Sequence, residues 1–315
     1  MIRHYLRHIW RTVLPLLYGR TRFRLFLKSS FGDIDRRVQE LAAKTDYFST
    51  FVRPIPVRAP FGKSVLVVAP HQDDEAIGCG GALALQAGAG QRAFVVFLQD
   101  GADGHDEIGM TRDGLVSLRN EESRRAAAVL GLESPCFLGF ADLGASIREA
   151  AGRLQRIIRE RHVDAIFAPF IFDAHPDHRF ANYALAEALE PISWPVRVFG
   201  YEVWGLVVPN VIVVIDDVID KKMAMLACFE FANKAVDYVH STQGLNMYRS
   251  RLLGSGLCRY AECFFETPRE EYVDLVKQVR TGESAARIAR IPADLNVSSD
   301  AAGRRDESPG RTPSW

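Results

Sequence analysis

Two short stretches concentrate the groups that can do acid–base and metal chemistry. The first, Pro70-His71-Gln72-Asp73-Asp74-Glu75, sets an imidazole beside three carboxylates. The second, Asp173-Ala174-His175-Pro176-Asp177-His178, sets two imidazoles among two carboxylates. Clusters of His, Asp and Glu without a thiol suit a catalytic zinc, which keeps an open position, better than a structural one. His71 and Asp74 lie three apart and can turn both heads to one point, and His178 can approach from the second stretch. Three protein ligands leave the remaining coordination for water. Each stretch alone has a plainer reading. Asp73 and Asp74 are good N-cap residues, and His-Pro-Asp-His also reads as a capped helix start.

The elements around these stretches decide between the readings. Val65–Ala69 is a continuous β-branched-rich run, the pattern of a strand buried on both faces, and it ends where the first cluster begins. A helix over Glu75–Ala87 and a buried strand over Ala93–Leu98 follow. Next come a helix over Gly114–Leu130, a short strand over Pro135–Leu138 and a helix over Ser146–Arg161. The buried strand Val163–Ala168 ends at the second cluster, and a helix over His178–Leu189 leaves it. Val196–Tyr201 and Val211–Ile215 read as further strands. The apolar stretch Val203–Ile215 is too short to span a bilayer as a helix and reads as two core strands. Strands alternating with helices predict an α/β fold with a doubly wound, mainly parallel, Rossmann-like sheet. Both clusters then fall at strand carboxyl ends, on the rim where such sheets place their sites.

Composition bounds the rest. The chain has 315 residues, 48% hydrophobic and 25% charged, with Lys+Arg and Asp+Glu both 39 and a net charge of +0. That excludes collagen, coiled coil and wholly disordered classes, and the basic body expected of a nucleic-acid binder is absent. Five cysteines without a CxxC pair argue against a disulfide framework and a cysteine-rich zinc site, and for a reducing, cytoplasmic compartment. Residues 1–31 carry Arg3, Arg7, Arg11, Arg20, Arg22, Arg24 and Lys28 and no carboxylate, with Ile2, Leu6, Ile9 and Val13 at helical spacing. This reads either as a basic amphipathic helix lying on the inner face of a membrane or as a helix packed on the domain with a solvated basic face. Arg20, Arg22 and Arg24 stand where a signal peptide would have small residues. The expected organisation is a basic helical extension and connector over 1–63, one domain over 64–291 and a disordered tail over 292–315.

The first cluster resembles the His-Pro-Asp-Asp-Glu signature of the PIG-L/LmbE-type zinc deacetylases, which act on N-acetylglucosaminyl groups. Ala174-His175-Pro176-Asp177-His178 resembles that family's second motif. Asp100-Gly101, Arg119-Asn120-Glu121-Glu122 with Leu130-Gly131, and Tyr260-Ala261-Glu262 with Phe264 continue the likeness over about 64–266. Gln72 departs from it, standing where the family has Pro, which implies a looser turn. The resemblance implies an LmbE-type fold, zinc ligation by His71, Asp74 and His178, Asp73 as general base, and His175 as the acid or oxyanion partner. Iron(II) suits the same donors. The resemblance also implies that Arg119 reaches the sugar site; its plainer role is a surface ion pair near Glu121 and Glu122. Glu75 orients His71 or complements the helix dipole. Asp173 lines the pocket mouth or caps the turn. Cys79 reads as a small buried hydrophobe and His240 as surface. Asp100–Asp113 reads as a loop over the site.

The function so implied is zinc-assisted removal of an N-acetyl group from a small-molecule or lipid-linked amino-sugar conjugate. Cleavage of a thiol-sugar-conjugate amide, or a non-catalytic metal- or sugar-binding module, are the alternatives.

Overall fold

A computed structural model describes residues 54–106, 108–254, 256 and 258–289. The basic segment 1–31 and the tail from 292 lie outside them. The run Ser64–Ala69 forms β2, buried at every position. The other strands are β1 (Ile55–Val57), β3 (Arg92–Gln99), β4 (Cys136–Phe140), β5 (Ala165–Pro169), β6 (Arg197–Tyr201), β7 (Val211–Val214) and β8 (Ala261–Pro268). They make one sheet in the order β1-β7-β8-β6-β5-β2-β3-β4. All neighbours are parallel except β8, which runs antiparallel to both β6 and β7. The chain winds from β2 through β3 to β4 in one direction and then places β5 on the other side of β2. The carboxyl ends of β2 and β5 thus flank the point where the winding reverses, the crevice in which doubly wound sheets bind their ligands.

Alternation along the strands feeds two cores. Val65, Val67 and Ala69 face one side, with α1 (Asp74–Gly88) and α2 (Arg112–Val129). Leu66 and Val68 face the other, with α3 (Ile147–Arg161) and α4 (Pro176–Leu189). Three further helices, α5 (Ile219–Ala227), α6 (Glu230–Ala235) and α7 (Tyr238–Ser250), lie between β7 and β8, and α8 (Arg269–Ala289) follows β8. Helix α1 packs closely on the sheet: a Cβ at Gly78 would lie 2.1 Å from Tyr201 Cδ2.

The fold class read from the sequence is the observed one. Only one strand forms in Val203–Ile215, however. The N–H groups of Trp204, Gly205 and Val207 donate to the side chains of Asp173 and Glu202 rather than to a ladder. Strand β1 lies within the expected connector. Its Pro56 is tolerated because β1 is the edge of the sheet.

Candidate active site

Register brings the two clusters together. Strands β2 and β5 pair Val65 with Ala165 and Val67 with Phe167, so Ala69 and Pro169 end side by side. The first cluster leaves β2 into α1, and the second leaves β5 into α4. Around the crevice the rings of His71, His175 and His178 lie 4.9, 5.0 and 5.6 Å apart.

Asp74 sits at the centre. Its Oδ2 is 3.3 Å from His71 Nδ1 and 3.4 Å from His178 Nε2, and it accepts the His71 backbone N–H at 2.8 Å. His71 Nε2 lies 3.2 Å from Asp177 Oδ2, and His178 Nδ1 lies 3.2 Å from Asp173 Oδ1. Burial disfavours charge on both rings, but the carboxylates outweigh it. Asp177 and Asp74 lift His71 to about 9, and Asp74 and Asp173 lift His178 to about 10. Asp74 is held far below the usual carboxylate range by the same two imidazoles, against its own burial.

This environment is built for positive charge, and its donors fit a divalent ion. Ligands around a tetrahedral zinc stand about 3.3 Å from one another, and Asp74 Oδ2 has that spacing to both histidines. His178 is fully buried, yet neither ring nitrogen makes a well-directed hydrogen bond. His71, Asp74 and His178 could therefore hold the ion. Ring nitrogens of His71, His175 and His178 also lie within 4.8 Å of one another. His175, however, accepts the Asp177 N–H on Nδ1 at 3.2 Å as the N-cap of α4. That assigns the ring's own N–H to Nε2 in its neutral form. Burial, and the charges of His71 and His178, keep His175 below the ordinary imidazole range.

Asp73 has the N-cap position of α1 but makes no capping hydrogen bond, and its φ of 135° is rare for any residue but glycine. Its carboxylate instead lies 3.6 Å from Arg119 Nη2. Burial lifts Asp73 to about 7 against the pull of Arg119, and the Asp74 charge adds to the lift. Arg119 is fixed from α2 by donating to Gln72 O at 2.8 Å and Gly101 O at 3.2 Å. The cavity in front of these groups has a volume of about 210 Å³, and Asp103, Trp204 and Tyr238 also line it.

Residues 66–189 match the PIG-L family, described as GlcNAc-PI de-N-acetylase. The family likeness thus covers 66–189, 124 of the 315 residues.

The matched segment runs from β2 to α4 and contains both clusters and Arg119. Among curated relatives, the diacetylchitobiose deacetylase of Thermococcus kodakarensis is 29% identical over 171 residues. That match covers 52% of this chain and 61% of the relative, so the chain spans about three fifths of that enzyme's length. Among solved structures, N,N'-diacetylchitobiose deacetylase from Pyrococcus horikoshii superposes with a TM-score of 0.58 at 23% identity, covering 76% of this chain and 96% of that one. GalB, the 4-carboxy-2-hydroxymuconate hydratase of Pseudomonas putida KT2440, gives 0.56 at 25% identity, covering 65% and 96%.

Several details of the site differ from the sequence reading. Glu75 does not reach His71. It is buried and its Oε2 accepts the Asp73 N–H at 3.3 Å, because the backbone turn at Asp73 points that N–H back into the helix start. Asp173 is not at the pocket mouth: it is buried, and its two oxygens accept the N–H groups of His175, Trp204 and Gly205. Gln72 does not loosen the turn. It is fully buried and donates to Asp100 O and Asn120 Oδ1. Arg119 points inward to Asp73, while Glu122 accepts the Phe231 N–H. Asp177, beside His71 and capped on His175, was missed, although its place between the two histidines of the second motif was a signal. Trp204 and Tyr238 line the cavity from loops and helices that carry no motif.

Proposed function

We propose that this chain is a metal-dependent hydrolase that removes the N-acetyl group from an N-acetylglucosamine-type sugar conjugate, using zinc, with iron(II) as the other ion its donors accept. The observation that carries the reading is the meeting of a His-Asp-His donor set with a spare carboxylate, Asp73, and a spare imidazole, His175, in one cavity. Binding alone needs neither of the last two, which disfavours a metal- or sugar-binding module. The likeness to diacetylchitobiose deacetylase supports the substrate class.

An ion on His71, Asp74 and His178 supplies Lewis-acid activation of water and of the amide carbonyl. Asp73, held by Arg119, takes a proton from the attacking water. His175, whose Nδ1 is occupied by the Asp177 N–H, offers its Nε2–H as a hydrogen bond to the carbonyl oxygen, and Asp73 passes the proton it took from water to the leaving nitrogen. The C–N bond breaks as that nitrogen gains its proton. Asp177 and Asp173 orient His71 and His178 from behind.

Acetate release from an N-acetylglucosaminide by the zinc-loaded protein tests this directly; absence of release from a panel of such sugars would reject it. The likeness to GalB favours a hydratase as the second reading, since water activation is common to both reactions. Release of acetate separates them. Release of a larger acid instead would mark the thiol-sugar-conjugate amidase.

The catalytic unit in this reading is 64–291, extended back to 54 because β1 joins the sheet, with 1–53 as a basic extension and 292–315 as a tail. The extension would bring a cytoplasmic enzyme to an anionic membrane carrying a lipid-linked substrate. No helix among the described residues is long and apolar enough to cross a membrane. Liposome co-sedimentation that deletion of 1–31 leaves unchanged would reject the attachment.

A further inference from the structure

We propose that Trp204 is the platform on which the sugar ring of the substrate stacks, a specificity-determining residue positioned by the buried Asp173. The proposal rests on the amino-sugar reading above. Trp204 is 54% exposed and lines the same cavity as His71, Asp73 and His175. An indole that open contributes little to the core, and an aromatic side chain lining a cleft beside a few convergent polar groups is the make-up of a ligand site.

The indole's backbone is pinned. Asp173 is 1% exposed. Its Oδ2 accepts from Trp204 N at 2.9 Å and Gly205 N at 3.0 Å, while its Oδ1 accepts from His175 N at 2.9 Å and lies 3.2 Å from His178 Nδ1. One carboxylate therefore sets the position of the indole relative to two histidines of the reacting centre. Gly205 permits it: a Cβ there would lie 3.3 Å from Asp173 Cα, so the loop rests directly on the Asp173 backbone. From the side, the Tyr238 ring meets the indole edge-on at 6.4 Å and 84°.

The cavity thus joins an aromatic face to a few polar groups, Asp103 and Arg119 among them. A pyranose ring matches both. Its hydroxyls suit the polar side chains, and its C–H bonds, slightly positive, suit the electron-rich indole face. An acyclic amide has no such face. Binding through a part of the substrate that does not react is the same in ground and transition states, so its loss falls on KM rather than kcat.

The test compares wild type, Trp204→Ala and Trp204→Phe in the full-length zinc-loaded protein. Substrates are methyl N-acetylglucosaminide and an acyclic acetamide, N-acetylethanolamine. Expected for Trp204→Ala is a KM increase of about tenfold on the sugar, a kcat change several times smaller, and a fall in the sugar-over-acyclic selectivity. Trp204→Phe should recover most of the loss. An unchanged sugar KM, or equal losses on both substrates, would overturn the proposal. Calorimetric binding of methyl glucosaminide decides independently of turnover: affinity about tenfold weaker in Trp204→Ala supports the platform, and equal or absent binding in wild type and variant overturns it. If no N-acetyl compound is turned over, the deacetylase reading fails, and the binding arm still rules on Trp204.

Discussion

Asp73 is a residue poor for the fold that the proposed reaction would need as its base. A non-glycine residue at φ 135° costs on the order of 1–3 kcal/mol, and burial lifts its carboxyl to about 7. Nothing in the packing of α1 requires that side chain, since it makes no capping bond. Asp73→Gly should therefore melt higher than wild type, by a gain of about 1 kcal/mol, while acetate release falls by roughly 10²–10⁴-fold. A lower melting temperature would show that the carboxylate stabilises the fold after all. Asp73→Asn and Asp74→Ala separate base from ligand: both should lose turnover, but metal analysis should find zinc retained in the first and lost in the second. Zinc lost from both would remove the distinction. At this scale the sequence shows which residue types are present and hides how they turn. Asp73 and Asp74 are identical neighbours, yet one faces Arg119 and the other two histidines. The resemblance separates their roles, and the backbone turn between β2 and α1 is what points them apart.

Helix α1 is bent where it passes the site, with Cys79 at φ −143° and ψ 19° inside it. The bend frees N–H groups of the second half, and Glu262 of β8 takes two of them, Gly81 N at 2.7 Å and Ala82 N at 2.8 Å. Glu262 is itself paired with Lys222 of α5 at 2.6 Å, both buried, and Lys222 also donates to Ile77 O. Three elements distant in sequence therefore meet at this kink, one turn beyond the first cluster. Removing one charge from such a pair strands the other, which costs about 3–5 kcal/mol. Glu262→Gln and Lys222→Met should each show a loss of that size in urea unfolding, and the double variant should lose less than the sum. Strict additivity would mean that the two groups do not act as a pair. The sequence made the central strands legible because burial on both faces leaves near-continuous apolar runs in β2, β3 and β5. It made Tyr-Ala-Glu visible as a motif, but not the antiparallel β8 on which it lies. Nor did it reveal β1, whose two short apolar positions flank a proline. Those elements owe their place to pairing partners far along the chain, and local pattern carries no trace of them.

For the molecule as a whole, the site bridges the point where the winding of the sheet reverses. His71 and Asp74 belong to the unit built from β2, β3 and β4, and His178 to the unit built on β5 and β6. An ion shared between them would tie two halves that otherwise meet through strand pairing and the contacts around Asp74. Such an ion binds the folded chain and not the unfolded one, so it adds about 2.7 kcal/mol when free zinc is 100 times its dissociation constant. For a domain of this size each kcal/mol moves the midpoint by about 2–4 °C. Exhaustive chelation should thus lower the melting temperature by roughly 5–10 °C, and added zinc should restore it. His178→Ala should melt at one temperature with or without the metal, because it lacks the ligand that spans the crevice. Cys79→Ala should respond like wild type: its thiol donates to Glu75 O in the α1 kink and belongs to no donor set. Equal midpoints for wild type in zinc and in chelator would mean that the two strand ends are brought together by their own side chains alone, and that the His-Asp-His cluster is not a metal centre.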